Sequence, residues 1–170
     1  MKRAAILFAL LFPLQLLAAD ATTVILVRHA EAVASDSKDP ELSDAGKARA
    51  KALLEVARDA HVNAVFVTQY RRTKDTAADV VAALKVPVVE TSVDREKRAE
   101  HVETLAKRIV AEHRGETVLV IGHSNTIPAI VTALSGVATT EIPHEEYNRI
   151  YVVVLESGKP PRVIVARYGA

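Results

Sequence analysis

Val24-Ile25-Leu26-Val27-Arg28-His29-Ala30-Glu31-Ala32 is the stretch on which the reading of this chain turns. It starts as a β-branched apolar run, the composition of a strand buried on both faces. It ends in an arginine, a histidine and, two residues on, a glutamate. Arg28 and His29, delivered together at the end of a core strand, have a polar task there. In open α/β sheets, ligands sit beyond the carboxyl ends of the strands.

The rest of the chain repeats the pattern. Residues 22–27 read as a first strand, 64–68 as a second, 87–91 as a third and 117–122 as a fourth. Helical spacing of Ala, Leu and Val fills the gaps. One helix follows Ser43, a good N-cap, with Asp44 in the favourable first turn, and runs to Ala60. Others are expected at 73–84, 95–113 and 126–134, the last two closed by Gly115 and Gly136. Residues 150–155 and 162–166 form a terminal strand pair, turned at Glu156-Ser157-Gly158-Lys159. Alternating strands and helices, with continuous apolar strands, predict an α/β fold. Its form is a three-layer α/β/α sandwich on a mainly parallel central sheet.

At 170 residues, 49% hydrophobic and 25% charged, the chain has material for one globular domain. Aromatics are only 4%, so the core falls to Val, Leu, Ile and Ala. Residues 1–20 stand apart. A basic start (Lys2, Arg3), an apolar run to Leu17 and small residues around Ala19 form the pattern of a signal peptide. The other reading, an uncleaved anchor, asks this run to span a bilayer, and it is short of the ~20 residues needed. The expected organisation is a leader, 1–20, and a single domain, 21–170, with no stable membrane span after leader removal and a periplasmic or secreted location.

Of 22 basic and 21 acidic residues, Lys2, Arg3 and Asp20 lie in the leader, so the remaining charges balance. A near-neutral protein has no broad basic face, so nucleic acid is not an expected partner. There are no cysteines, which excludes thiol catalysis and Cys-based metal sites. Any strong anion binding must come from a local cluster.

Such a cluster is legible at the strand ends. The first ends in Arg28-His29. The second ends in Thr68-Gln69-Tyr70-Arg71-Arg72 and the fourth in Gly122-His123-Ser124-Asn125, each leading into a helix. Two helix N-termini with free N–H groups would open at the same edge. Arginine adds a planar fork of donors that matches phosphate oxygens. Together they predict a cationic cup for a phosphoryl group. His61, His101, His113 and His144 read as surface or structural.

Four stretches in order resemble the histidine phosphatase superfamily, which also contains the cofactor-dependent phosphoglycerate mutases. They are Val27-Arg28-His29-Ala30-Glu31, Glu41-Leu42-Ser43-Asp44-Ala45-Gly46, the segment from Thr68 to Ala77, and Val120-Ile121-Gly122-His123-Ser124-Asn125. The compact layout is similar to that of the small phosphohistidine phosphatases. The resemblance implies a phosphoglycerate mutase-like fold and a phosphatase that needs no metal or other cofactor. His29 would be the nucleophile, forming a phosphohistidine. Arg28, Arg72 (rather than Arg71) and His123 would hold the phosphoryl oxygens, with Ser124 and Asn125 beside the substrate. A leader points to an exported phosphorylated small molecule or envelope glycan as partner. Nothing in the sequence indicates the oligomeric state.

The general acid departs from the family's pattern. Glu90 and Asp94 qualify only by their place after the third strand. Glu31 has two readings, as a residue that orients an arginine or as an ordinary loop carboxylate. Two other functions stay open: a non-catalytic phosphate or sugar-phosphate binder using the same cup, and a serine hydrolase with Ser124 as nucleophile.

Overall fold

The structure, a computed structural model, describes residues 21–169. The expected leader, residues 1–20, lies outside them. Ten elements follow in order: β1 (Thr22–Arg28), α1 (Asp44–Asp59), β2 (Ala64–Val67), α2 (Arg71–Leu84), β3 (Val88–Glu90), α3 (Arg98–Glu112), β4 (Thr117–Gly122), α4 (Thr126–Ser135), β5 (Arg149–Leu155) and β6 (Arg162–Arg167). No helix among the described residues is long and apolar enough to cross a membrane.

The six strands form one sheet in the order β3-β2-β4-β1-β5-β6. The first four are parallel to one another, and β5 and β6 are antiparallel additions. The chain therefore steps outward from β1 to β2 and β3, then returns to insert β4 between β1 and β2. This reversal sets the carboxyl ends of β1, β4 and β2 side by side. It is the arrangement in which α/β sheets bind ligands.

Alternation along each strand divides the core in two. Ile25, Val27, Val65, Val67, Leu119 and Ile121 face α1 and α2, where Leu53, Ala57, Ala77 and Val80 meet them. Val24, Leu26, Phe66, Val118 and Val120 face α3 and α4, against Leu105, Ile109, Ile127 and Ile130. These are the three layers that the sequence predicts. β6 lies beyond this cover, and its Ile164 and Val165 are about half exposed, at 47% and 54%.

Two boundaries differ from expectation by more than one residue, both near the site. The third helix begins at Arg98 rather than Arg95, because the Asp94 carboxylate accepts from the Glu96 N–H at 3.0 Å and holds a turn there. The second helix begins at Arg71, so both arginines stand in its first turn. Its N-cap, Tyr70, has no capping side chain. Asp39, from the preceding loop, accepts from the Arg71 N–H at 2.9 and 3.0 Å instead.

Candidate active site

The register of the sheet builds the site. Arg28 pairs with Gly122, and the His29 N–H donates to the Gly122 carbonyl at 2.9 Å. The next residues out from each strand, His29 and His123, are thereby neighbours. Their ring centroids are 5.5 Å apart with planes at 65°. Gly122 has its own reason. A Cβ there would lie 2.8 Å from the Thr126 hydroxyl, the group that accepts from the His123 N–H at 2.9 Å.

His29 is buried, at 8% exposed, and its ring is fixed. Nδ1 lies 2.8 Å from the Ala30 carbonyl. A carbonyl only accepts, so Nδ1 carries the hydrogen and Nε2 keeps the lone pair. The Ala30 N–H donates to the Thr76 hydroxyl at 2.9 Å, which locks the loop onto α2. Burial first, then the charges of Arg72 and Arg28, hold the His29 pKa down to about 4, against the opposing pull of the Ala30 carbonyl. Its imidazole is neutral at pH 7.

Hydroxyl groups set the tautomer of His123. Thr73 donates to the Tyr70 carbonyl at 2.8 Å and lies 3.0 Å from the Thr68 hydroxyl, which lies 3.1 Å from His123 Nε2. One assignment satisfies every contact: Nε2–H donates to Thr68, and Thr68 donates to Thr73. Nδ1 is then the nitrogen with no hydrogen-bond partner among the described residues. Burial, followed by His29, Arg72 and Arg28, lowers the His123 pKa to about 3.

Arg28 is only 4% exposed. Its Nη1 donates to the carbonyls of Pro143, His144 and Glu146 at 3.1, 2.6 and 3.1 Å. The guanidinium lies 3.8 Å over the Tyr147 ring. Its Nε is buried without a hydrogen-bond partner among the described residues, which costs on the order of 1–3 kcal/mol or more. Arg72 stacks 4.3 Å over the Tyr70 ring, and its Nη1 is 3.6 Å from Asp39. Arg71 points elsewhere, pairing with Glu41 at 2.9 Å and Asp75 at 3.2 Å.

These groups open into a cleft of about 470 Å³. Arg28, His29, Arg72, His123, Ser124 and Asn125 all line it. So do Tyr70, from the second strand-end stretch, and Arg95, Arg98 and His144, which the sequence reading did not place there. The rule applied to the other strand ends would have found the two arginines, since β3 ends at the same edge. Nothing in the sequence marks His144 or Tyr147. They arrive on the segment after α4, tied down by Arg28 and by the Ile142 N–H, which donates to the Ser124 carbonyl at 3.0 Å.

Several expectations need correction. Glu90 and Asp94 do not line the cleft. Glu90 is drawn outward by Lys74, at 2.8 Å, and Asp94 lines a neighbouring recess. Glu31 is more than a loop carboxylate, since both its oxygens accept from Arg49 at 2.7–3.0 Å. Burial acts to raise its pKa, but the Arg49 fork outweighs that and holds it below the usual range. The arginine it orients belongs to α1, not to the cleft. The N-terminus of α2 is not fully free, because Asp39 occupies the Arg71 N–H. Among the described residues, the Ser124 hydroxyl has no histidine within hydrogen-bond distance, so the serine-hydrolase arrangement lacks its base.

Residues 24–103, which hold the first three of the four stretches, match the sequence model of the histidine phosphatase superfamily, branch 1. The chain is similar to that superfamily over this span.

Solved structures with the same fold include a candidate phosphohistidine phosphatase, SixA, from Nakamurella multipartitia. It is 21% identical with a TM-score of 0.62, over 88% of this chain and 98% of that one. A mycobacterial glucosyl-3-phosphoglycerate phosphatase is 16% identical with a TM-score of 0.66, over 88% of this chain and 100% of that one. A protein histidine phosphatase SixA in complex with tungstate is 17% identical with a TM-score of 0.61, over 85% of this chain and 96% of that one. A search of curated protein sequences finds no match.

Proposed function

We propose that this protein is a phosphatase that hydrolyses phosphomonoesters through a phosphohistidine on His29. One observation carries the reading. His29 Nδ1 is committed to the Ala30 carbonyl, which leaves Nε2 as a neutral nucleophile beside Arg28, Arg72 and His123. The phosphatases that share the fold support the same class of reaction.

In the first half-reaction the Nε2 lone pair attacks phosphorus. The P–O bond to the leaving group breaks, and that oxygen departs with the bonding pair. In the second half-reaction water attacks the phosphohistidine. The P–N bond breaks, Nε2 recovers its pair, and phosphate leaves. Arg28 and Arg72 meet the charge on the phosphoryl oxygens throughout. Guanidinium groups here supply the electrostatic role that metal ions fill in other phosphatases. His123, neutral in the free protein, gains a reason to hold a proton when a dianion replaces two cations as its nearest charge. The substrate is an exported phosphorylated small molecule or envelope glycan, reached after removal of residues 1–20.

Acid-labile ³²P trapping tests this. The wild type is expected to label from a ³²P-phosphomonoester, and His29→Ala is not. Tight phosphate binding without label in the wild type would favour the non-catalytic binder.

A further inference from the structure

The two edges of the sheet are finished differently. At one edge, β3 is three residues long, follows Pro87, and ends in Glu90, which Lys74 holds at 2.8 Å. A short strand, a proline and a charge are devices that keep an open strand from pairing with another chain. At the other edge, β6 is six residues long and pairs with β5 from end to end, one residue against one, with no bulge. Between Arg162 and Arg167 it reads Val163-Ile164-Val165-Ala166. Ile164 and Val165 are both exposed, one on each face of the sheet. Among the described residues no strand pairs with the outer side of β6.

The register with β5 says which backbone groups are left over. The Tyr168 N–H donates to the Asn148 carbonyl at 3.0 Å, and Arg167 lies opposite Arg149. Inward and outward groups alternate along an antiparallel ladder. Arg162, Ile164 and Ala166 therefore turn their N–H and C=O toward β5, as Tyr168 does. The N–H and C=O of Val163, Val165 and Arg167 point outward, at every second residue. That is the hydrogen-bonding edge of a further antiparallel strand.

We propose that β6 is the interface of a homodimer, in which β6 of a second copy pairs antiparallel with it and joins the two sheets into one. The occupant is a second copy because the edge fits itself. A two-fold axis perpendicular to the sheet keeps the same face up in both copies. Opposed residues then share a face, so odd-numbered residues meet odd and even meet even. Arg162 and Arg167 differ in parity and cannot stand opposite each other. Centred on Val165, the pairing sets Val165 against Val165, Ile164 against Ala166, and Val163 against the aliphatic stem of Arg167. All three outward residues then exchange hydrogen bonds. Centred instead on Ile164, Arg167 would meet Pro161, which has no N–H to give. Six residues a side make a small interface beside the roughly 1,200–2,000 Å² of a stable complex. The association is therefore reversible, with a Kd on the order of 1–100 µM.

Sedimentation of the purified protein across that concentration range tests the proposal. The mass is expected to rise from one chain to two. Val165→Lys should hold it at one chain, because it sets two ammonium groups opposite each other at the axis while the β5 ladder, which does not use Val165, stays whole. Val165→Thr, which keeps a β-branched side chain, and Val88→Lys, at the other sheet edge, should dimerise as the wild type does. Hydrogen exchange of the wild type needs no variant to fold. The Val163, Val165 and Arg167 amides should exchange more slowly at high concentration than at low, with no such change at β3. A single-chain mass throughout, a dimer that survives Val165→Lys, or exchange at β6 that ignores concentration overturns the interface.

Discussion

Arg28 Nη1 donates to the His144 carbonyl at 2.6 Å, a contact between residues 116 apart in sequence. It makes one side chain both a site group and the anchor of the segment that covers the site. Lysine keeps the charge but has no fork to reach three carbonyls while leaving a donor over. Arg28→Lys is therefore expected to lower kcat/KM by about 10²–10³-fold. Hydrogen exchange should show faster exchange in residues 142–147 of the variant. Unchanged exchange with lowered activity would separate the two roles and deny the anchor.

The neutral histidines make stability depend on pH with a definite sign. In the unfolded chain each titrates near 6.5, whereas the fold holds His29 at about 4 and His123 at about 3. Below pH 6.5 the unfolded state binds more protons, so their contribution is fully present above that pH. It is lost as the pH falls toward 4, at roughly 1.4 kcal/mol per pH unit for each histidine. Urea midpoints between pH 8 and 4 measure it. The His29→Gln/His123→Gln double variant should show a distinctly shallower acid decline, and an identical decline would count against the assignment.

Gly46 stands where α1 meets the loop after His29. A Cβ there would come 2.0 Å from the Glu31 carbonyl oxygen. The same carbonyl accepts from the Ser43 N–H at 2.9 Å, so it has little room to retreat. Gly46→Ala should cost about 1–3 kcal/mol or more, read from the urea midpoint. Lys47→Ala, one residue on and exposed, should stay within about 0.5 kcal/mol of wild type. Equal stability of both variants would show that the loop gives way.

No carboxylate among the described residues lines the cleft to protonate a leaving oxygen. Turnover should therefore favour leaving groups that need no proton. p-Nitrophenyl phosphate is expected to react at least about 10²-fold faster than propyl phosphate, the low end of what general acid catalysis contributes. Comparable rates would mean that a proton donor stands at the leaving oxygen. His144, which lines the cleft, would be the residue to substitute.

Much of this was legible in the sequence for a local reason. Apolar β-branched runs mark strands, Ser43 marks a helix start, and Arg28, His29 and His123 mark strand ends, all within a few residues. The choice of Arg72 over Arg71 comes from the family resemblance alone. Its physical reason, that a helical turn points adjacent side chains in different directions, needs the helix start at Arg71 that the sequence places at residue 73. The two candidate acids misled because position after β3 does not say which way a carboxylate turns, and Lys74 draws Glu90 outward.

The sequence alone determined the layers, the strand-end histidines and the arginine beside the first of them, because backbone preference and hydrophobic period are properties of neighbours in the chain. Tertiary structure alone decided what those groups face. It brought Arg95, Arg98 and His144 to the cleft, set Tyr147 against Arg28, gave Glu31 to Arg49, and chose which imidazole nitrogen holds the hydrogen. Apart from the His29 tautomer, which the neighbouring Ala30 carbonyl sets, each of those outcomes is a contact between separate segments, fixed only when the sheet order and the packing of its covering loops are complete.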